Sequence, residues 1–221
     1  RPHDLTADLA IEDVRLRLAA NLPTLELDHL AGRLAVRSLN AGYSIDGRAV
    51  EVHAHPQASA PDADSLITVA PTDFHLEWQR EKNGQDLRGK ASASRLDLGV
   101  LAELAGYLPL DAASRRGLVD FAPRGRIDDL HLDWLGNAEK LQTYRLKGRF
   151  DQLAIKPHGH WPGVTGLSGS LEADETGGQT TVQAQKVVVY VPRVFPESSV
   201  PLDTLQAQAK WTLNGGQLTV D

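Results

Sequence analysis

Two pairs of histidines and two pairs of carboxylates are the residues best placed to do chemistry. His53 and His55 stand two apart, a spacing that in a strand sends both rings to one face and suits a metal. His158 and His160 repeat that spacing, but in a turn before Trp161. Neither pair comes with a carboxylate motif, so both read as solvated histidines. Asp128-Asp129 and Glu172 with Asp174 have the residue types of a glycosidase acid and base. They fall on polar strand faces with no aromatic cleft beside them. Gly177-Gly178-Gln179 and Gly166-Leu167-Ser168-Gly169 lack the following helix and the Lys-Ser or Lys-Thr of a phosphate loop. The densest basic group, Arg115 and Arg116 with Arg124 and Arg126, suits a solvated surface or a lipid headgroup. The sequence therefore predicts no enzyme, no metal and no cofactor.

Composition narrows the class. The chain has 221 residues, a net charge of -6 and no cysteine, which argues against nucleic acid and removes both disulfides and thiolate metal sites. Apolar residues make up 41%, enough for folding, but their longest runs are a handful of residues, too short to span a bilayer. There is no methionine, and the first residues are Arg1-Pro2. The expectation is a piece of a longer protein whose signal or anchor lies upstream.

What positions these residues is a repeated alternation of greasy and polar side chains. It is clearest from Trp161 to Val191, where Leu167, Gly169, Leu171 and Ala173 alternate with Ser168, Ser170, Glu172 and Asp174. Thr176-Gly177-Gly178 turns the chain, and the second strand ends in Val187, Val188, Val189 and Val191. The same design recurs as Phe74, Leu76 and Trp78; Leu130, Leu132 and Trp134; Tyr144, Leu146 and Phe150; and Leu205, Trp211 and Leu213. Earlier, Val14 to Leu18, Leu25 to Leu27, Leu34 to Val36 and Val50 to Ala54 read as short strands, with Ala31-Gly32 and Asp46-Gly47 as breaks. Residues 56–65 read as a polar loop. Only 97–120 leaves the pattern: Asp97 is an N-cap, Leu101, Leu104 and Leu108 follow at helical spacing up to Pro109, and Asp111 caps a second short helix. This pair is expected to cover a rim of the sheet. The predicted fold is mainly β: one long, curved antiparallel sheet of about a dozen strands, shaped like a taco, continuous over 1–221, with a single helical insertion near 97–120.

The runs LPLDAASRRGLVDFAPRGRIDDLHLDW, YRLKGRFDQLAIKP, WPGVTGLSGSLEADETGG, VVVYVPRVFPE and LDTLQAQAKW resemble the YhdP family of AsmA-like proteins. The match is good over about residues 70–221 and rests on pattern before that. The resemblance implies a bacterial envelope protein, anchored in the inner membrane and crossing the periplasm, whose hydrophobic groove conducts phospholipid between inner and outer membranes. The partners it implies are phospholipid acyl chains, bacterial membranes reached through other parts of the full-length protein, and envelope proteins. In that reading Phe74, Leu76, Trp78, Leu130, Leu132, Trp134, Tyr144, Leu146, Phe150, Leu167, Leu171, Val187, Val189, Val191, Leu205, Trp211 and Leu213 line the lipid path, and Leu101, Leu104 and Leu108 cover it. The alternative is a structural β-repeat scaffold for envelope assembly, its greasy face closed by a second sheet of its own and no lipid passing.

Overall fold

A computed structural model describes residues 4–56, 66–82, 84–108, 110, 112–137, 141–159, 161–191, 199–214 and 217–220. Eleven strands form one sheet in which spatial order is sequence order and every neighbour is antiparallel. In chain order they are β1 (Asp4–Leu16), β2 (Leu25–Leu39), β3 (Gly42–Pro56), β4 (Ile67–Arg80), β5 (Leu87–Asp97), β6 (Arg124–Gly136), β7 (Leu141–Ile155), β8 (Gly163–Asp174), β9 (Gly177–Tyr190), β10 (Ser199–Asn214) and β11 (Gln217–Val220). Helices α1 (Leu98–Leu104) and α2 (Ala112–Phe121) lie between β5 and β6. Ten inter-strand gaps of about 4.8 Å make the sheet about 48 Å long across its strands.

The strands are longer than the short pieces expected from the sequence. Ala31-Gly32 and Asp46-Gly47 are not breaks: both lie inside fifteen-residue strands. Gly32, with φ of 133°, sits at a shift of register between β2 and β3, where a β-bulge keeps the strand running. Similar left-handed residues recur at Asp13, Ala49, Asp129, Gln152 and Lys186, each inside a strand. Short polar side chains of the next strand take over the hydrogen bonds that the bulges break. Ala49 N–H donates to Asp73 Oδ1 at 2.7 Å, Asp73 N–H to Ser94 Oγ at 3.0 Å, and Gln152 N–H to Ser168 Oγ at 3.1 Å. Bulges bend a strand and increase its twist, and repeated in neighbouring strands they curve the sheet. Strands β3 and β7 stand four apart, about 19 Å on a flat sheet. Both line one cavity of about 710 Å³ beneath α1, in keeping with a curved sheet.

Helix α1 is capped by Asp97, whose carboxylate accepts the Val100 N–H at 3.0 Å. It closes over one end of β1–β4, where Leu25, Leu27, Ala54 and Ile67 are buried with Val14, Leu30, Val52, Val100, Leu104 and Tyr107 packed around them. Helix α2 is tied elsewhere: the Phe121 carbonyl accepts the Lys156 N–H at 2.8 Å, and its ring lies 5.5 Å from that of His158. Asp111, residues 57–65, His160, the Pro192–Phe195 strand exit and Gly215-Gly216 lie outside the described residues.

Candidate functional site

Cross-strand partners share a face of a sheet, so the register identifies which side chains line up. One row runs across all eleven strands: Leu5, Val36, Ile45, Leu76, Ala91, Leu132, Leu146, Ala173, Gly178, Trp211 and Val220. It contains no charge and no hydrogen-bonding side chain except the indole of Trp211. A second row on that face holds Ala7, Leu34, Gly47, Phe74, Ala93 and Leu130. A third holds Leu96, Ile127, Phe150, Gly169, Val182 and Ala207. No residue of the first row is buried: the ends, Leu5 and Val220, are exposed and the rest are half-buried.

The surface area says the same of the whole molecule. A compact protein of 24.0 kDa exposes about 9,900 Å². This chain exposes 14,897 Å², half as much again. Among the described residues no second sheet covers the apolar face, and the second-sheet closure expected for a scaffold is not what the topology shows.

Aromatic rings fill the places where this face has no side chain. Phe74 lies over its cross-strand partner Gly47, Trp134 over Gly89, and Trp211 over Gly178. A Cβ on those glycines would come within 2.3, 2.0 and 2.4 Å of the rings. Phe150 and Gly169 make a fourth pair, with a Cβ there 2.8 Å from the ring. Each pair lays a flat ring along the sheet and keeps the surface smooth.

The opposite face is ionic. Arg33 donates to both carboxylate oxygens of Asp8, at 2.6 and 3.2 Å. Lys147 pairs with Glu172 at 2.8 Å. Arg126, paired with Asp128 and Asp151 at 2.9 and 3.1 Å, stands instead at the end of the sheet beneath α1, where Arg126 and Asp151 line the cavity. Hydrogen bonds from Arg33 hold the Asp8 carboxyl below the ordinary carboxylate range, those from Lys147 and then Gln179 do so for Glu172, and those from the Thr176 hydroxyl and backbone do so for Asp174. The candidate chemical groups are absorbed into this ladder. Asp128 and Asp129 take separate arginines, Arg126 and Arg149. His53 pairs with Glu51 at 3.0 Å and His55 with Asp28 at 2.6 Å, two different carboxylates, and among the described residues no group of three or more ligands could hold a metal. The basic group is dispersed too: Arg115 donates to the Leu110 carbonyl at 3.2 Å and Arg116 to that of Ala112 at 3.1 Å, while Arg126 holds its aspartates.

The apolar face gathers most of the residues that the alternation singled out. Phe74, Leu76, Trp78, Leu130, Leu132, Trp134, Tyr144, Leu146, Phe150, Leu171 and Trp211 follow the paired rows, with Leu167, Leu205 and Leu213 two residues from members on their own strands. Val187 and Val189 lie past the left-handed Lys186, Val187 fully buried and Val189 opposite Val164, and Val191 follows the end of β9. Of the helical residues, Leu101 and Leu104 line the cavity under α1; Leu108 lies beyond the helix, and Arg115 reaches its carbonyl.

The model of one protein family, described as YhdP protein, matches residues 1–221. The chain belongs to the YhdP family. No curated protein and no solved structure matches it. Membership thus extends over the first seventy residues, where the sequence showed the YhdP resemblance only as pattern. In this YhdP-family chain no described helix is long and apolar enough to cross a membrane. Sequence reasoning missed Val100 and Tyr107, which join Leu104 on the core of β2–β4. Val100 carried a signal, since it stands four before Leu104, the spacing of one helix face.

Proposed function

We propose that this chain is a segment of a bacterial envelope lipid-transfer protein whose groove conducts phospholipid between the inner and outer membranes. The observation that carries the reading is the uncovered apolar row from Leu5 to Val220. Monomeric proteins rarely leave a continuous apolar surface of this extent open unless something binds to it. An acyl chain spans about half of a ~30 Å bilayer core, so a groove about 48 Å long accepts it at any point along the way. Each methylene kept out of water is worth about 0.8 kcal/mol. A row without charge or fixed polar contacts holds every stretch of chain about equally well, so the lipid is retained and still slides. Transport of this kind makes and breaks no bond, in keeping with carboxylates and histidines already engaged in ion pairs. Periplasmic placement and an inner-membrane anchor belong to the same proposal.

The test is to purify the chain from bacterial cells without detergent, extract it with organic solvent and identify what it carries by mass spectrometry. Phospholipid in stoichiometric amount supports the conduit. A lipid-free protein whose apolar face is closed by self-association supports the scaffold instead.

A further inference from the structure

One row on the apolar face differs from all the others. Tyr43, Trp78, Gly89, Trp134 and Tyr144 are consecutive cross-strand partners over β3–β7, so four aromatic residues, each with a polar handle, stand in line along one rim. The Tyr43 and Trp78 rings lie 5.9 Å apart, Trp134 covers Gly89, and Tyr43 is half exposed. This is the rim of short hairpins. Immediately outside it Arg80 donates to the Gly84 carbonyl, and Arg88 pairs with Glu81 at 2.7 Å. Two residues inward, about 6.8 Å along a strand, the face becomes the aliphatic row of Ile45, Leu76, Ala91, Leu132 and Leu146. The other rim of β3 and β4 offers Ala54 and Ile67, buried under α1 with Tyr107 packed against them.

From the floor to the hairpin tips the surface therefore passes from aliphatic to aromatic with N–H and O–H groups, and then to charged. That is the order of a membrane interface, where Trp and Tyr sit between hydrocarbon and headgroup. Resting on the lipid reading above, we propose that this aromatic row fixes the orientation of the bound phospholipid. Its glycerol and headgroup lie at Tyr43, Trp78, Trp134 and Tyr144, and its acyl chains run down the strands toward Phe74 and Phe150. Phe74 is four residues below Trp78, about 14 Å, and Phe150 six below Tyr144, about 20 Å. An acyl chain of about 15 Å ends near these positions.

The test uses single-tryptophan forms of the 221-residue chain, since Trp78, Trp134, Trp161 and Trp211 are its four tryptophans. The others become Phe, which keeps a ring over each glycine. Each form is loaded from vesicles of phosphatidylethanolamine brominated either next to the glycerol or at the chain end. Trp78 and Trp134 should be quenched at least two-fold more by bromine near the glycerol. Phe150→Trp and, as a second probe, Phe74→Trp, both in a background without other tryptophans, should show the reverse. Equal quenching by the two lipids, or the opposite order, overturns the proposed orientation while leaving lipid binding intact. No quenching at any position by either lipid overturns the lipid reading, and the orientation with it.

Discussion

A carboxylate placed in the middle of the apolar row should stop passage without unfolding the sheet. Leu146 pairs with Leu132 on one side and Ala173 on the other, and its row offers no cation. The two cations beside it in the strand, Arg145 and Lys147, alternate to the opposite face, where Lys147 is held by Glu172 at 2.8 Å. An aspartate at 146 would therefore stay unneutralised against hydrocarbon. Near the middle of a bilayer that placement costs about 2.5–3.5 kcal/mol, and at about 1.4 kcal/mol per factor of ten the lipid population there falls about 60- to 300-fold. A chain that slides along one groove cannot go round the block, so transfer should fall by about the same factor. The backbone pairing remains, because a half-exposed strand position carries a propensity difference of only about 1 kcal/mol. The assay is dequenching of fluorescent phospholipid between vesicles, with the full-length protein carrying Leu146→Asp and its fold checked by circular dichroism. Lys147→Gln is the control: it removes an exposed ion pair worth about 0–1 kcal/mol and should transfer at the parent rate. A folded Leu146→Asp protein that transfers normally would refute the reasoning.

Three further outcomes follow from the geometry. Gly89→Ala puts a Cβ within 2.0 Å of the Trp134 ring; it should destabilise the chain by about 1–3 kcal/mol as an overpacking change and red-shift tryptophan emission, both read in a urea titration. Asp97→Ala removes the α1 N-cap at a cost of about 1 kcal/mol, so amides of Leu98–Leu104 should exchange about five-fold faster while β7–β10 amides are unchanged. Asp8, Glu172 and Asp174 have carboxyl pKa values below their ordinary ones. Their stabilisation is therefore complete above the unfolded values of about 4 and is lost as pH falls through the lower folded values. Melting temperature should accordingly hold level above about pH 5 for these groups and drop below pH 4, less steeply in Asp174→Asn.

Much of the sheet was legible because a single-layer sheet has one apolar face, and period two survives wherever a strand runs straight. The hairpin of β8 and β9 turns where Thr176-Gly177 indicated, and Phe74, Leu76 and Trp78 share a face as their spacing required. What misled was glycine, which serves both turns and close approach. Gly32 supplies a bulge and Gly47 makes room for Phe74, so two apparent turns were strand interiors. The ion pairs were hidden for a related reason. Arg126 meets Asp151 only in a register that bulges at Asp129 and Gln152 help to set, and Arg33 meets Asp8 across strands β1 and β2, on residues well separated in sequence. The helix was found, but its extent was not: α1 ends at Leu104, and its packing on Leu27 and Ile67 joins residues far apart in sequence.

The central claim is that lipid touches one face of this sheet and not the other, and β7 offers the most direct test. A photocrosslinking amino acid is placed in turn at 143 to 150 of the full-length protein in living cells, and phospholipid adducts are scored after irradiation. The account predicts adducts at 144, 146, 148 and 150 and none at 143, 145, 147 and 149, a strict alternation that only a lipid on the apolar face would produce. Adducts on the ionic face, adducts without alternation, or no adduct at any position would contradict it.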